Sequence, residues 1–336
     1  MKILIVKLSA IGDCLHATPV ARALRQTFPD AKIGWAVHPH CAPILEGNPD
    51  LDEIHLIPRK KFFREFPRAI LPVRREKYDI AIDLQGLMKS GLVTKLSSAP
   101  KRIGPVEAKE GARMMYNFRV ARDNANLHVV DGYLKLAEAA GAKVVPAPQM
   151  VLPDRTEDKL QIDNLLSEIG IVPADRLIVL NPSAGRDIKQ WPAERFGELA
   201  HQIRSKFDAK FLITGAPADA HLAERILSAF PDAINLTGKT SLTGMGELLR
   251  RVELFVGGDT GPMHMAQAAS TRVVAIFGPT NPKTLGPTLP IHRVAYNRQP
   301  CSPCRHRECP IGRPCLNDLG VQDVYQLCAE ILQELD

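Results

Sequence analysis

Aromatic residues make up only 5% of the chain. That is too few to supply the ring platforms that hold single-stranded nucleic acid, so nucleic acid is not an expected partner. No apolar run approaches the ~18 residues of a membrane span. The amino-terminal apolar run, residues 3–6, is also shorter than the core of a secretory leader and has no small-residue cleavage site after it. A cytoplasmic protein with at most peripheral membrane contact is expected. No G-x-G-x-x-G follows the first predicted strand, where Ser9, Ala10 and Gly12 occupy the turn, which argues against a dinucleotide-dependent oxidoreductase. No D-x-D pair is expected in a loop placed to hold a divalent ion against a diphosphate. There is no short-period repeat and no low-complexity stretch.

What is present is an ordinary globular composition, 45% hydrophobic and 24% charged, in a 336-residue chain too long for one typical core. Strand and helix patterns alternate through the first 145 residues. Strands are predicted at 3–8, 31–37 and 78–84, with helices at 14–28 and 87–96. Residues 143–154 (KVVPAPQMVLPD) carry three prolines and no helical period, as a linker does. A second series follows, with strands at 177–180, 210–214, 233–236, 254–256 and 273–277 and helices at 193–207 and 218–230. Short aliphatic strands alternating with helices imply α/β halves built on parallel sheets. Two such halves of similar size suggest nucleotide-binding-type domains facing across a cleft.

The densest signal is Gly257-Gly258-Asp259-Thr260-Gly261-Pro262-Met263-His264. It leaves an apolar strand and opens a small-residue helix, with proline where a helix tolerates it. Its glycines allow close backbone approach, and the free N–H groups of the helix start favour an anion. Ser183, Ala184 and Gly185 end the second half's first strand, and Lys189 adds a compact positive charge nearby. In the absence of a D-x-D pair, leaving-group charge falls to Lys189 and the helix starts. His264 has no partner at metal-ligand spacing and is expected to hydrogen-bond substrate or the Asp259 loop. In the first half, Asp13 lies just past the carboxyl end of the first strand, where such sheets bind ligands. It reads either as a general base or as a helix cap. Asp83 and Lys89 flank a second strand-turn-helix corner, where they either pair or bind a polar substrate.

Charge is unevenly distributed. Lys plus Arg exceed Asp plus Glu by 43 to 37, a net +6. Arg59, Lys60, Lys61, Arg64, Arg68, Arg74 and Arg75 crowd one segment, interleaved with Phe62, Phe63 and Phe66. Such a run reads as a solvated face, or as a site for an anionic surface or acidic acceptor. Cys301, Cys304, Cys309 and Cys315 form C-x2-C-x4-C-x5-C. That spacing raises a structural zinc or iron–sulfur site against reduced thiols or a local disulfide. Cys14, Cys41 and Cys328 are scattered and read as inert core thiols.

Taken together, KLSAIGD, DLQGLMKS at 83–90, KQWP at 189–192, GGDTGPMH at 257–264 and FGPT at 277–280 resemble the lipopolysaccharide heptosyltransferases of glycosyltransferase family nine. The order is kept across nearly the whole chain, and the S-A-I-G-D-x-L-H form is most similar to heptosyltransferase I. The resemblance implies a GT-B fold: two Rossmann-like domains with parallel sheets facing a central cleft. Residues 1–150 would bind acceptor, 155–318 would bind nucleotide sugar, and a terminal helix within 319–336 would pack back on the first domain. It implies Asp13 as the base of an inverting, metal-independent transfer of heptose from ADP-heptose to a Kdo residue of a lipid A precursor. Ser183, Ala184, Gly185, Lys189, Thr240, Asp259, Thr260, Gly261, Pro262, Met263 and His264 would face the donor. Ser9, Gly12, Lys61, Arg64, Asp83 and Lys89 would face the acceptor, with an anionic inner-membrane surface nearby. Two positions depart from the family pattern near the adenosine half: Pro217, after Gly215-Ala216 where a Glu often follows, and Thr240, where a Met can stand. No cofactor is required for this chemistry. Rival readings are heptosyltransferase II or another family-nine enzyme with a different acceptor, and a non-catalytic nucleotide-sugar-binding module.

Overall fold

The computed structural model describes residues 1–123, 126–145, 149–304 and 306–335. The chain divides into two compact units, Met1–Asp154 and Arg155–Asp336. The division falls at the end of the Pro-rich 143–154 stretch, of which residues 146–148 lie outside the described residues.

The first unit contains β1 (Lys2–Val6), α1 (Ile11–Thr27), β2 (Lys32–Val37), β3 (Glu53–Leu56), α2 (Phe62–Glu76), β4 (Ile80–Asp83), α3 (Met88–Leu96), β5 (Lys101–Pro105), β6 (Phe118–Val120) and α4 (Val129–Ala139). Its sheet is parallel throughout in the order β3-β2-β1-β4-β5-β6. The central strands are aliphatic along their whole length because helices cover both faces, and polar alternation has no solvent side to serve. Leu4, Val6, Ala36 and Ala81 pack with Phe62, Phe66, Ile70 and Val73 of α2 in one such layer. Gly34 is required there, since a Cβ would lie 1.9 Å from the Tyr78 hydroxyl, which hydrogen-bonds His55 Nε2 at 2.6 Å.

The second unit repeats the plan with α5 (Thr156–Glu168), β7 (Leu177–Asn181), α6 (Ala193–Arg204), β8 (Lys210–Ile213), α7 (Ala220–Ala229), β9 (Ile234–Asn235), α8 (Leu242–Arg250), β10 (Leu254–Gly258), α9 (Gly261–Ala268), β11 (Arg272–Phe277), α10 (Pro282–Leu285), β12 (Arg293–Tyr296), α11 (Pro314–Asn317) and α12 (Val321–Gln333). Its parallel sheet runs β12-β11-β10-β7-β8-β9. Both sheets therefore have the doubly wound order of a dinucleotide-binding domain, reversing direction beside their first strand.

The strands missing from the sequence reading, β3, β5, β6 and β12, lie at or next to sheet edges. They are short and carry polar residues, as in Glu53-Ile54-His55-Leu56, so they lack the aliphatic signature of the centre. A second difference concerns the terminal helix, expected to pack on the first domain. The buried residues of α12, Val324, Cys328, Ile331 and Leu332, lie in the second unit's core with Phe196, Leu199 and Ile203 of α6. Its apolar stripe is satisfied by its own sheet. Burial of each such aliphatic side chain is worth roughly 1.5–3 kcal/mol, enough to hold a 13-residue helix that would be marginal alone.

Candidate active site

In the first unit the strand order reverses between β1 and β4, so the turns leaving these strands are neighbours. Gln85 fastens them: its Oε1 accepts from the N–H of Leu8 at 2.9 Å and of Ser9 at 3.2 Å. Asp83 was expected to face the acceptor, and the structure corrects this. It is fully buried, its Oδ1 accepts from the N–H groups of Gln85 and Gly86, and its Oδ2 accepts from the Tyr116 hydroxyl at 2.7 Å. Burial raises its carboxyl above the usual range against these hydrogen bonds. Asp83 holds the turn in shape, and Gly86, at φ +75°, permits it. Nor does it pair with Lys89, whose Nζ donates to the Arg59 carbonyl at 3.3 Å and lies 4.9 Å from the centre of the Phe62 ring.

Asp13 caps its helix, the second of its two expected descriptions. Helix α1 starts at Ile11, and Asp13 Oδ2 accepts from the Ala10 N–H at 3.2 Å, so the carboxylate caps. The same oxygen lies 3.4 Å from Lys7 Nζ. The Asp13 side chain remains 42% exposed while that of Lys7 is only 5% exposed, leaving a carboxylate that reaches solvent from a buried cation. Gly12 is buried beside it, and Ser9 is half-buried.

Lys61 and Arg64 are exposed at the start of α2. Arg64 and Arg68 line a cavity of about 590 Å³ with Pro39, Leu56, Pro58, Glu65 and Ala69. His38 and His40 stack at 6.0 Å nearby. Burial, joined by the charges of Lys89 and Arg59 and by His40, lowers His38 from its ordinary value despite a hydrogen bond to the Ile57 carbonyl. These histidines escaped the sequence reading because a neutral ring contributes nothing to a charge count.

In the second unit the reversal lies between β7 and β10, which brings the 182–189 loop beside the glycine turn. Lys189 Nζ contacts Asp259 Oδ2 at 2.6 Å, and His264 Nε2 lies 3.5 Å from Asp259 Oδ1. Burial opposes the Asp259 charge, but the His264 hydrogen bond and the Lys189 ammonium outweigh it and hold the carboxyl far below the usual range. Thr260 is the N-cap of α9, Gly261 and Pro262 form its first turn, and these three residues are half-buried. Gly257 admits no side chain, since a Cβ would lie 2.9 Å from the Asn181 carbonyl.

One expected donor contact differs. Met263 is fully buried and accepts from Gln267 Nε2, so its side chain belongs to the core. Thr240 precedes the Ser241 cap of α8. Ser183 is tied by its Oγ to Asp219 Oδ2 at 2.7 Å, while Ala184 and Gly185 remain half-buried and exposed. The Asp219 carboxylate also accepts from the Ala216 N–H at 2.8 Å. It stands four residues after Gly215, a carboxylate in the corner where the expected glutamate is missing.

Among the described residues, no group of three or more His, Cys, Asp or Glu side chains is arranged to hold a metal. The metal reading of Cys301, Cys304, Cys309 and Cys315 thus gains no support, and the four are free thiols ranging from exposed Cys301 to buried Cys315. Cys309 Sγ accepts from the Arg313 N–H at 3.1 Å, and the Arg313 guanidinium donates to the carbonyls of Asp187 and Gln190. The segment thus braces the loop that carries Lys189. Asp50 and Asp52 do spell a D-x-D, but each is ion-paired at 2.6 Å, with Arg22 and Arg25.

Residues 68–314 match the family model described as glycosyltransferase family 9 (heptosyltransferase). The chain is 26% identical over 298 residues to lipopolysaccharide heptosyltransferase 1 of Escherichia coli, covering 85% of this chain and 90% of that one. It is 27% identical over 296 residues to lipopolysaccharide heptosyltransferase 2 of Salmonella typhimurium, covering 84% of each. Among solved structures it resembles the E. coli heptosyltransferase WaaC with ADP, at a TM-score of 0.78 and 25% identity over 98% of this chain and 100% of the other.

Proposed function

The chain belongs to glycosyltransferase family 9, the heptosyltransferases, and from this premise we propose that it moves heptose from ADP-heptose to a Kdo residue of a lipid A precursor. The carrying observation is the Lys189–Asp259 pair at the β7/β10 reversal, beside the start of α9. A locked carboxylate there suits sugar hydroxyls. The Lys189 ammonium and the N–H groups around Thr260 and Gly261 suit the diphosphate, whose departing charge they would stabilise without a metal. In the first unit Asp13 would take the proton of the attacking hydroxyl, giving single-step displacement with inversion.

The acceptor is read from charge. Arg59, Lys61, Arg64, Arg68 and Lys89, with the cavity that Arg64 and Arg68 line, suit a ligand bearing carboxylates and phosphates. Helix α2 also exposes Phe63 (71%) and Leu71 (46%) on the side that carries Arg64, Arg74 and Arg75. Exposed apolar side chains among arginines fit the headgroup layer of an anionic bilayer. Among the described residues no helix is long and apolar enough to cross a membrane. The enzyme would therefore act at the cytoplasmic face of the inner membrane as a peripheral protein.

A second reading is transfer to an acceptor that already carries heptose, as the named likeness to heptosyltransferase 2 suggests. Mass spectrometry of Kdo-terminated and heptosylated acceptors after incubation with ADP-heptose separates the two. One added heptose on the Kdo acceptor supports the first reading. Addition to the heptosylated acceptor alone supports the second, and addition to neither contradicts both.

A further inference from the structure

We propose that Lys7 is a positioning residue for the reaction: its buried ammonium grips Oδ2 of Asp13 and reserves Oδ1 for the acceptor proton. The inference rests on reading Asp13 as the base. Among the described residues, the Asp13 side chain makes its contacts through Oδ2, with the Ala10 N–H and with Lys7 Nζ. One hydrogen bond and one ion pair on the same oxygen hold the carboxylate and leave the other oxygen for a ligand.

Lys7 is itself held from several sides. It follows β1 directly, and its N–H donates to the Ala36 carbonyl at 3.2 Å. Its carbonyl accepts from Trp35 Nε1 at 3.0 Å and from Cys14 Sγ at 3.6 Å. Its ammonium lies 5.3 Å from the centre of the Tyr133 ring on α4, and Arg122 lies 5.9 Å from that same centre. The titratable groups around the pair are thus Cys14 of α1, Tyr133 of α4, Arg122, and Cys41 from the segment after β2. Burial works against a charge on Lys7, but Tyr133 and Asp13 favour it, and the ammonium ends above the ordinary lysine range. Lys7 therefore stays charged throughout turnover. A buried cation is costly unless paired, and Asp13 is the only carboxylate among the groups named here.

In the step served, the acceptor O–H bond breaks as its oxygen bonds to the anomeric carbon. The proton passes to Asp13 Oδ1. The bond from the anomeric carbon to the β-phosphate oxygen breaks, and its electron pair leaves with ADP. Lys7 gives up no proton; its ammonium holds the orientation of the carboxylate.

The test is Lys7→Met, which keeps length and removes charge, measured beside Asp13→Ala, Tyr133→Phe and the Lys7→Met/Asp13→Ala double variant. For Lys7→Met, kcat should fall on the order of 10- to 100-fold, as small misplacements of a reacting group do. ADP-heptose affinity and the acceptor KM should stay within about twofold, so that the loss falls on kcat. A purely structural role would move KM with it. The double variant should be no slower than Asp13→Ala. If Lys7→Met does not fold, Tyr133→Phe must still lower kcat several-fold at unchanged donor affinity. Wild-type kcat in Lys7→Met, a loss there that falls on KM as much as on kcat, or wild-type kcat in Tyr133→Phe overturns the role of Lys7. A fully active Asp13→Ala overturns instead the reading of Asp13 as base.

Discussion

Each unit carries a lysine–aspartate pair at the point where its sheet reverses, and the two pairs are buried in opposite senses. In the first unit Lys7 is 5% exposed and Asp13 is 42% exposed; in the second Asp259 is 6% exposed and Lys189 is 19% exposed. Where the cation is buried, the carboxylate reaches solvent with one oxygen uncommitted. Where the carboxylate is buried, it is clasped by Lys189 and His264, and the ammonium is the more exposed partner. Under the proposed function, the same two residue types on the same strand topology would serve as a base on one unit and as an anion-holding charge on the other. Burial decides which partner is free to act.

The largest break in this comparison should come from Asp13→Ala. Removing a general base costs about 10²- to 10⁴-fold in rate, and kcat in an acceptor-consumption assay should fall that far while calorimetry shows unchanged ADP-heptose affinity. Next is Lys189→Met, where loss of a charge-assisted contact of about 1.5–3 kcal/mol should weaken ADP-heptose binding roughly 10- to 150-fold by calorimetry. Vesicle binding should respond less. With Phe63 and Leu71 both changed to Ser, sedimentation with vesicles rich in anionic lipid should drop several-fold, since each buried side chain contributes roughly 1.5–3 kcal/mol only when fully covered. Unchanged sedimentation would remove α2 as the membrane-facing element.

The smallest effect concerns acid stability. The Asp259 carboxyl is depressed in the folded state by His264 and Lys189 against the pull of burial. Its stabilisation is complete above the unfolded carboxylate value near ~4 and is lost as pH falls through its lower folded value. Melts of Asp259→Asn between pH 2 and 7 should show a flatter acid side than the parent chain. An identical acid slope would mean that the pair adds nothing to stability.

Much of this was legible in the sequence, because the strongest signals are local. The aliphatic centres of both sheets stand as short runs, and the Gly257–His264 turn announces a strand end and a helix start within eight residues. Asp13, Lys189 and Asp259 follow from their places at strand ends. What was illegible depends on burial and on distant partners. Nothing local distinguishes Asp83, sealed under its turn by Tyr116, from Asp13, and nothing marks Lys7 as buried. Gln85 clasps the turn after β1 across 77 positions of chain, a contact without spacing of its own. The cysteine segment has metal-like spacing, yet its described contacts brace the Lys189 loop through Arg313. The apolar stripe of α12 is plain in sequence, but the sheet it covers is not.

The opposite burial of the two pairs is tested most directly by a single-turnover measurement on Asp13→Asn, saturated with ADP-heptose and then mixed with acceptor. A base on the first unit and a donor site on the second predict a fully loaded protein and no heptosylated product on the wild-type timescale. Product formed at a rate close to the parent's would contradict it.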